Sequence, residues 1–320
     1  MNPDVKICKL LWLGVMAMFF QSGFAELATF EKNPDGFQLT DSIGNTLRFD
    51  DYPSRVVTLD SGIVEIFFAL EAEDSLVGRT RFAEYPEGVA KIADIGGIID
   101  PNFEKLTEIA ADLVLIGRMS ANAELLARFA QLDLPVAVLD LGTFDELIEH
   151  TEVIGQLLGK AETAEAVLAN WSQRLSKLDE QAQRIVTQLE EPPIVLLLYG
   201  LDGYYSAGSD TWPDNIFQRA GVRNLASEAA SPWPMLSVEA VIADDPDCIM
   251  IASSTSQSFD SNTRRYDSIR RKPTALWKAL TLDLEKNIKL ASPGLFVVNG
   301  PRIIDSYQAL VLLLGTLIQN

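Results

Sequence analysis

From Ala161 to Leu189 the chain holds neither proline nor glycine and is rich in Ala, Leu, Glu and Gln. That run predicts one helix of about 29 residues, roughly 43 Å long at 1.5 Å per residue, where an ordinary helix has about 11–12. Gly159 precedes it and Glu190-Glu191-Pro192-Pro193 ends it, because proline lacks the donor N–H that a helix needs. A helix this long between two folded segments is a rigid spacer and not a flexible linker. The chain must therefore fold as two bodies, one on each side of it.

Both sides read as α/β. Phe37 to Thr40 and Thr46 to Phe49 alternate around Asp41-Ser42-Ile43-Gly44-Asn45, which predicts a β-hairpin. Arg55 to Leu59, Leu76 to Gly78, Leu113 to Ile116 and Val136 to Leu139 are short apolar strands. Helical spacing runs through Ile63, Ile66, Phe67 and Leu70, through Glu104 to Ile109 and through Ala123 to Ala130. Thr143-Phe144-Asp145-Glu146 is a capping box opening a further helix. A second series starts at Ile194 to Tyr199 and includes the apolar run Asp247 to Ala252. Such alternation predicts parallel sheets covered by helices. The expected organisation is an N-terminal lobe over 26–158 with a leading hairpin, a connecting helix over 159–190 and a C-terminal lobe over 191–320.

The two halves echo one another. Asn102-Phe103-Glu104 precedes Ala111-Asp112-Leu113-Val114-Leu115-Ile116, and Ser237-Val238-Glu239 precedes Pro246-Asp247-Cys248-Ile249-Met250-Ile251. Glu239 lies as far beyond Glu104 as Asp247 lies beyond Asp112. Each unit has a capping residue, a glutamate two positions on and an aspartate opening an apolar strand, which points to two lobes of similar build.

Residues 1–25 have the three-part layout of a secretory signal peptide: Lys6 and Lys9, an apolar stretch Leu10 to Phe20, and Gln21-Ser22-Gly23-Phe24-Ala25 with a cut after Ala25. The apolar stretch is about eleven residues, too short to span a bilayer, which takes about 20. Export to the periplasm is the expectation. The formal net charge of −19 disfavours nucleic acid and anionic membranes as partners and fits a monomer in an open compartment. Cys8 leaves with the leader, and Cys248 lies in a strand-like run and reads as buried. His150 is the only histidine; a site of several histidines is excluded, and His150 itself is expected on a helix surface.

Candidate binding residues follow from position. Arg79, Arg81, Phe82 and Tyr85 come just after the strand ending at Gly78, and in α/β folds ligands gather beyond the carboxyl ends of strands. Guanidinium groups beside aromatic rings suit an anionic, partly aromatic ligand, although an ordinary charged loop has the same composition. Tyr199, Tyr204, Tyr205, Trp212 and Trp233 make the second half aromatic-rich, and Pro232-Trp233-Pro234 holds a Trp on a stiff loop. Glu104 and Glu239 fall in first turns of helices, where a carboxylate meets the helix dipole favourably; a pair of exposed charges, one per lobe, would equally steer docking on a basic partner. The polar stretch from Ser253 to Lys272, with Arg264, Arg265, Arg270 and Arg271, reads as a loop. Nucleophile elbow, P-loop and His-rich metal motif are all missing, so neither an enzyme nor a cofactor is expected.

An ordered set of these segments resembles a known family. Arg55-Val56-Val57-Thr58-Leu59, Glu65 to Leu70, Val77-Gly78, Tyr85-Pro86, Ile95-Gly96-Gly97, Trp233-Pro234, and Gly300-Pro301-Arg302-Ile303-Ile304-Asp305 before a closing helix look like the iron–siderophore, cobalamin and haem binding proteins of ABC importers. The resemblance implies two Rossmann-like α/β lobes joined by one long rigid helix, with the ligand cleft between them. It implies a metal chelate as ligand, first an iron–siderophore complex and alternatively cobalamin, cobinamide or haem. It implies an ABC permease with its ATPase as partner, docked through Glu104 and Glu239. It sets Phe82 and Trp233 at aromatic cleft positions and Tyr85 in the segment that supplies an iron ligand in haem-binding members; Arg79, Arg81 and Tyr205, taken from position and composition, complete the expected ligand-binding set. Ile98, Gly294 and Val298 depart from the cobalamin receptor's pattern.

Overall fold

A computed structural model describes residues 27–318, apart from Asp35 and Asp202. The proposed signal peptide and Cys8 lie outside the described residues. The chain opens with β1 (Thr29–Asn33), β2 (Gly36–Thr40) and β3 (Thr46–Phe49), an antiparallel three-stranded sheet in that order. The hairpin Phe37–Phe49 is as the alternation predicts, and β1 is an added strand whose residues, except Phe30, are exposed. That lack of a buried face is why the sequence does not announce it.

The N-terminal lobe continues with β4 (Val56–Thr58), α1 (Ser61–Ala69), β5 (Leu76–Arg79), β6 (Ala93–Asp94), α2 (Phe103–Ile109), β7 (Leu113–Gly117), α3 (Ala123–Gln131), β8 (Val136–Leu139) and α4 (Phe144–Leu157). Its sheet is parallel with order β6-β5-β4-β7-β8. After α5 (Ala161–Val186) come β9 (Ile194–Tyr199), α6 (Trp212–Ala220), β10 (Arg223–Asn224), α7 (Val238–Asp244), β11 (Cys248–Ala252), α8 (Ser256–Arg271), α9 (Ala275–Ala279), β12 (Ile288–Leu290) and α10 (Ile303–Leu314). The second sheet is also parallel, order β10-β9-β11-β12. β4 and β9 thus hold equivalent central positions, as do β7 and β11.

The echo has a structural cause. Asp112 accepts the backbone N–H groups of Ser54 (2.8 Å) and Arg55, and Asp247 accepts that of Ile194 (2.7 Å). Each aspartate fastens the start of one central strand to the start of the next. α2 and α7 are capped alike, by Asn102 and Ser237, and both end in a left-handed residue, Ala110 and Asp245.

The long helix α5 has 26 residues, three fewer than the proline- and glycine-free run allows. Ala164, Trp171, Leu175, Leu178, Ala182 and Ile185 form its buried stripe, at the three- and four-residue spacing of one helix face. Asp179 on the same helix accepts both Arg219 Nε (2.9 Å) and Nη2 (2.8 Å) and the Tyr307 hydroxyl (3.0 Å), which ties α5 to α6 and α10. The Phe144 ring meets Tyr307 edge-on at 5.9 Å. Buried side chains of both lobes, with α4, α5 and α10, form one continuous apolar cluster, so the lobes share a core beneath the cleft and are not joined by the helix alone.

Two expectations are corrected. His150 is fully buried. Its Nε2 accepts the Ala28 N–H (3.1 Å) and its Nδ1 meets the Asp140 carbonyl; burial lowers its pKa, so the ring is a neutral joint between α4 and β1. Leu147, Thr151 and Ile154 are buried beside it, and position 150 is on the same stripe. The stretch Ser253 to Lys272 is not a loop but contains α8, opened by a capping box of Thr255 and Ser258. Only Asn262, Tyr266 and Ile269 of α8 are buried, a stripe too narrow to show in so polar a segment.

The lobes meet backbone to backbone where α1 begins. A Cβ on Gly62 would lie 2.1 Å from the Asn299 carbonyl oxygen and 3.0 Å from Gly300 Cα. Backbone cannot yield as a flexible side chain can. Gly62→Ala is therefore expected to lower unfolding free energy by about 1–3 kcal/mol, the cost of overpacking, in urea titration against wild type.

Candidate functional site

The segments that follow the central strands carry contacts between the two lobes. β4 runs through Asp60 into α1, whose Gly62 touches residues 299–300 of the other lobe. β5 runs into the segment carrying Arg81, Phe82 and Tyr85, and the Arg302 guanidinium lies over the Tyr85 ring at 4.4 Å. On the opposite side Tyr199, at the end of β9, donates to the Phe296 carbonyl (2.9 Å) and lies 5.9 Å from Trp233. Residues 204–208 pair with 232–236: Ser206 N–H donates to Pro234 and Leu236 N–H to Tyr204, both at 2.9 Å. This pairing sets Tyr205 opposite Met235.

Exposed apolar side chains lie in the segments after the strands of both lobes. On the N-terminal lobe Phe82, Tyr85, Ile99 and Met119 are exposed, and on the C-terminal lobe Tyr205, Trp233 and Met235. Each follows a strand of its sheet or the hairpin-like pair beside Tyr199. Ile99, Met119 and Met235 were not among the sequence candidates; for Met119 the position just beyond β7 is a signal that could have found it, and Met235 is marked only by its pairing with Tyr205.

Of the predicted residues, Arg81, Phe82 and Tyr85 share the exposed segment after β5, and Tyr205 and Trp233 the two paired segments of the other lobe. Arg79 is turned into its own loop, where Nε donates to the Val89 carbonyl (3.3 Å) and Nη1 to that of Thr80 (3.0 Å); its guanidinium supports the segment that presents Phe82 and Tyr85. Arg81 lines a recess of about 270 Å³ with Asp94, Gly96, Asn102 and Lys105, too small for a bulky ligand. Glu104 and Glu239 stand outside the cleft, exposed, one on each lobe, in the first turns of α2 and α7.

The base of the cleft is acidic. Asp60 caps α1 through Gly62 N–H (2.7 Å) and Ile63 N–H (3.2 Å); burial, with Asp140 nearby, pushes its carboxyl up to about 6. Glu65, 4% exposed, accepts Arg302 Nε and Nη2 on one oxygen, each at 2.8 Å, while its other oxygen has no partner. Burial pushes this carboxyl up to about 7 against the pull of Arg302. Sequence reading did not find this pair. Among the described residues there is no group of acids, histidines and cysteines fit to hold a metal ion.

A family model described as periplasmic binding protein matches residues 56–280, which includes both sheets' central strands and α5. The chain belongs to the periplasmic binding protein family. Among curated relatives, an ABC transporter substrate-binding lipoprotein of Bacillus subtilis strain 168 is 25% identical over 264 residues, covering 81% of this chain and 79% of the relative. Among solved structures, the periplasmic vitamin B12 binding protein of Vibrio cholerae superposes with a TM-score of 0.69 at 18% identity, over 83% of this chain and 99% of that one. A periplasmic heme binding protein from Pseudomonas aeruginosa gives a TM-score of 0.68 at 24% identity, over 81% and 91%. At such identities the structural likeness is one of fold: two α/β lobes and a connecting helix, as found here. Among the described residues of this periplasmic binding protein no helix is long and apolar enough to cross a membrane.

Proposed function

We propose that this protein is the periplasmic receptor of an ABC importer, binding a bulky metal chelate between its lobes and delivering it, as a monomer without chemistry of its own, to a permease with its ATPase. The observation that carries this reading is that both lobes expose aromatic, aliphatic and thioether side chains in the segments beyond their strands. Isolated exposed apolar residues are ordinary on a soluble protein, whereas a group of them on each of two lobes marks a binding site. Phe82, Tyr85, Tyr205 and Trp233 would contact the chelate, Arg81 would meet its anionic periphery, and Arg79 would hold the loop. Glu104 and Glu239 would meet arginines of the permease.

An iron–siderophore complex is the first cargo to test. A tetrapyrrole such as cobalamin, cobinamide or haem is the second reading, favoured by Met119 and Met235, whose polarizable side chains fit flat conjugated surfaces, and by Tyr85 as a phenol available to a haem iron.

Trp171, Trp212 and Trp277 are buried, and Trp233 is 39% exposed, so a ligand entering the cleft should act on Trp233 emission. Titration of the mature protein with ferrichrome, haemin, cobalamin and cobinamide is expected to give saturable quenching by one class at micromolar concentration or below, lost in Trp233→Phe. Silence toward all four would overturn the reading.

A further inference from the structure

We infer that Glu65 and Arg302 form a clasp between the lobes that sets the orientation of the Tyr85 ring in the cleft. This rests on the reading of the cleft as the ligand site only for its consequence on binding. Glu65 belongs to α1 of the N-terminal lobe, and Arg302 immediately precedes α10 of the other. Nε and Nη2 of Arg302 donate to one oxygen of Glu65, and Nη1 donates to the Pro293 carbonyl at 3.0 Å. The guanidinium occupies the space beside Gly294, where a Cβ would lie 2.3 Å from Nη1 and 2.7 Å from Cζ. Gly294 has φ +85°, so position 294 suits glycine on both counts.

The guanidinium is thus fixed by its three donor nitrogens, and its Cζ lies over the Tyr85 ring at 4.4 Å. Among the described residues no hydrogen bond holds the Tyr85 hydroxyl, and the ring is 49% exposed. A cation held over one face of a ring orders that ring while leaving the other face to a ligand. Arg302 is a positioning residue, and Glu65 positions Tyr85 through it without touching it. The clasp also sits beside the Gly62–Gly300 approach, so a change in lobe separation would move Arg302 relative to Glu65 and release the ring.

The test places 3-fluorotyrosine at position 85 of the mature protein and follows its fluorine resonance without ligand. Glu65→Leu, of similar volume but lacking an acceptor, is expected to shift the resonance toward its value in unfolded protein, and Glu65→Gln, which keeps an acceptor oxygen, to restore the wild-type position. A folded Glu65→Leu protein with an unshifted resonance would overturn the clasp. If Glu65→Leu does not fold, Arg302→Lys keeps the charge but removes the planar face; there too a shift supports the clasp and an unshifted resonance overturns it. With whichever of ferrichrome, haemin or cobinamide binds wild type, Glu65→Leu should weaken binding about tenfold, a coupling within the range for linked residues, and add nothing in a Tyr85→Ala background. Equal weakening in both backgrounds also overturns it. Failure of all three probes on wild type counts against the receptor function and leaves the fluorine resonance to decide the clasp.

Discussion

Arg302→Ala is expected to lower the unfolding free energy by about 3–5 kcal/mol, the cost of leaving a buried charge without its partner. Glu65, 4% exposed in the wild type, would lose its cationic partner while Asp60 stays the neighbouring carboxylate, and the two lobes would lose a shared contact. The deficit should depend on pH, and the sign is fixed by the shift. Glu65 has a folded-state pKa near 7 against an ordinary 4.5, so between those values the folded protein holds a proton that the unfolded chain releases. The stability linked to that proton is complete below about pH 4.5 and is lost as pH rises through about 7. Asp60, up to about 6, acts in the same direction, and His150, lowered by burial, opposes it. Removing Arg302 drives the Glu65 carboxyl further up. The Arg302→Ala deficit should therefore be largest at pH 8 and shrink toward pH 5, where the carboxyl can be neutral. Glu65→Gln should flatten the pH dependence of wild type over that interval. Urea unfolding of the three proteins at pH 5, 6.5 and 8 checks both; a deficit equal at all three would show that Arg302 acts by packing and not by charge.

The second large effect is expected in transport. Glu104→Ala with Glu239→Ala should reduce chelate-stimulated ATPase activity of the reconstituted importer, and chelate uptake, by at least about tenfold, since losing one charge of a docked pair costs about 2–5 kcal/mol. Ligand binding should stay at the wild-type value. Both carboxylates are exposed, and the helix-dipole contribution at each first turn is about 0.3–1 kcal/mol, so folding should change little. If the glutamates served only their helices, uptake would be unchanged and the loss would appear in stability alone. Each single variant should fall between wild type and the double variant, because the two sites are on different lobes and, in the proposed function, would act on one partner.

Much of the fold is legible in the residues because its signals are local. Asn102, Ser237 and Thr143 cap helices whose first turns they define. The apolar runs at Leu113 and Cys248 are wholly buried strands, as unbroken apolar runs in parallel sheets must be. Cys248, expected as buried, is so. What escaped is also explicable. β1 has almost no buried face, α8 buries three residues of sixteen, and His150 was judged by its polarity and not by its place on the α4 stripe. At the candidate site, the loop after β5 and the aromatic residues of the second half stood out, while Ile99, Met119 and Met235 have no motif around them.

Helix, strand, cap and the spacer between two α/β halves are set by interactions reaching a few residues along the chain, so the sequence by itself determined them, down to the paired roles of Asp112 and Asp247. The site is another matter. Glu65 and Arg302 are 237 residues apart, and no periodicity or spacing relates them. Only the meeting of α1 with the turn before α10 brings that carboxylate, guanidinium and Tyr85 ring together. Likewise the approach of Gly62 to Asn299 and Gly300 has no counterpart in the sequence, because a contact between lobes depends on how both sheets are placed and not on any segment within either.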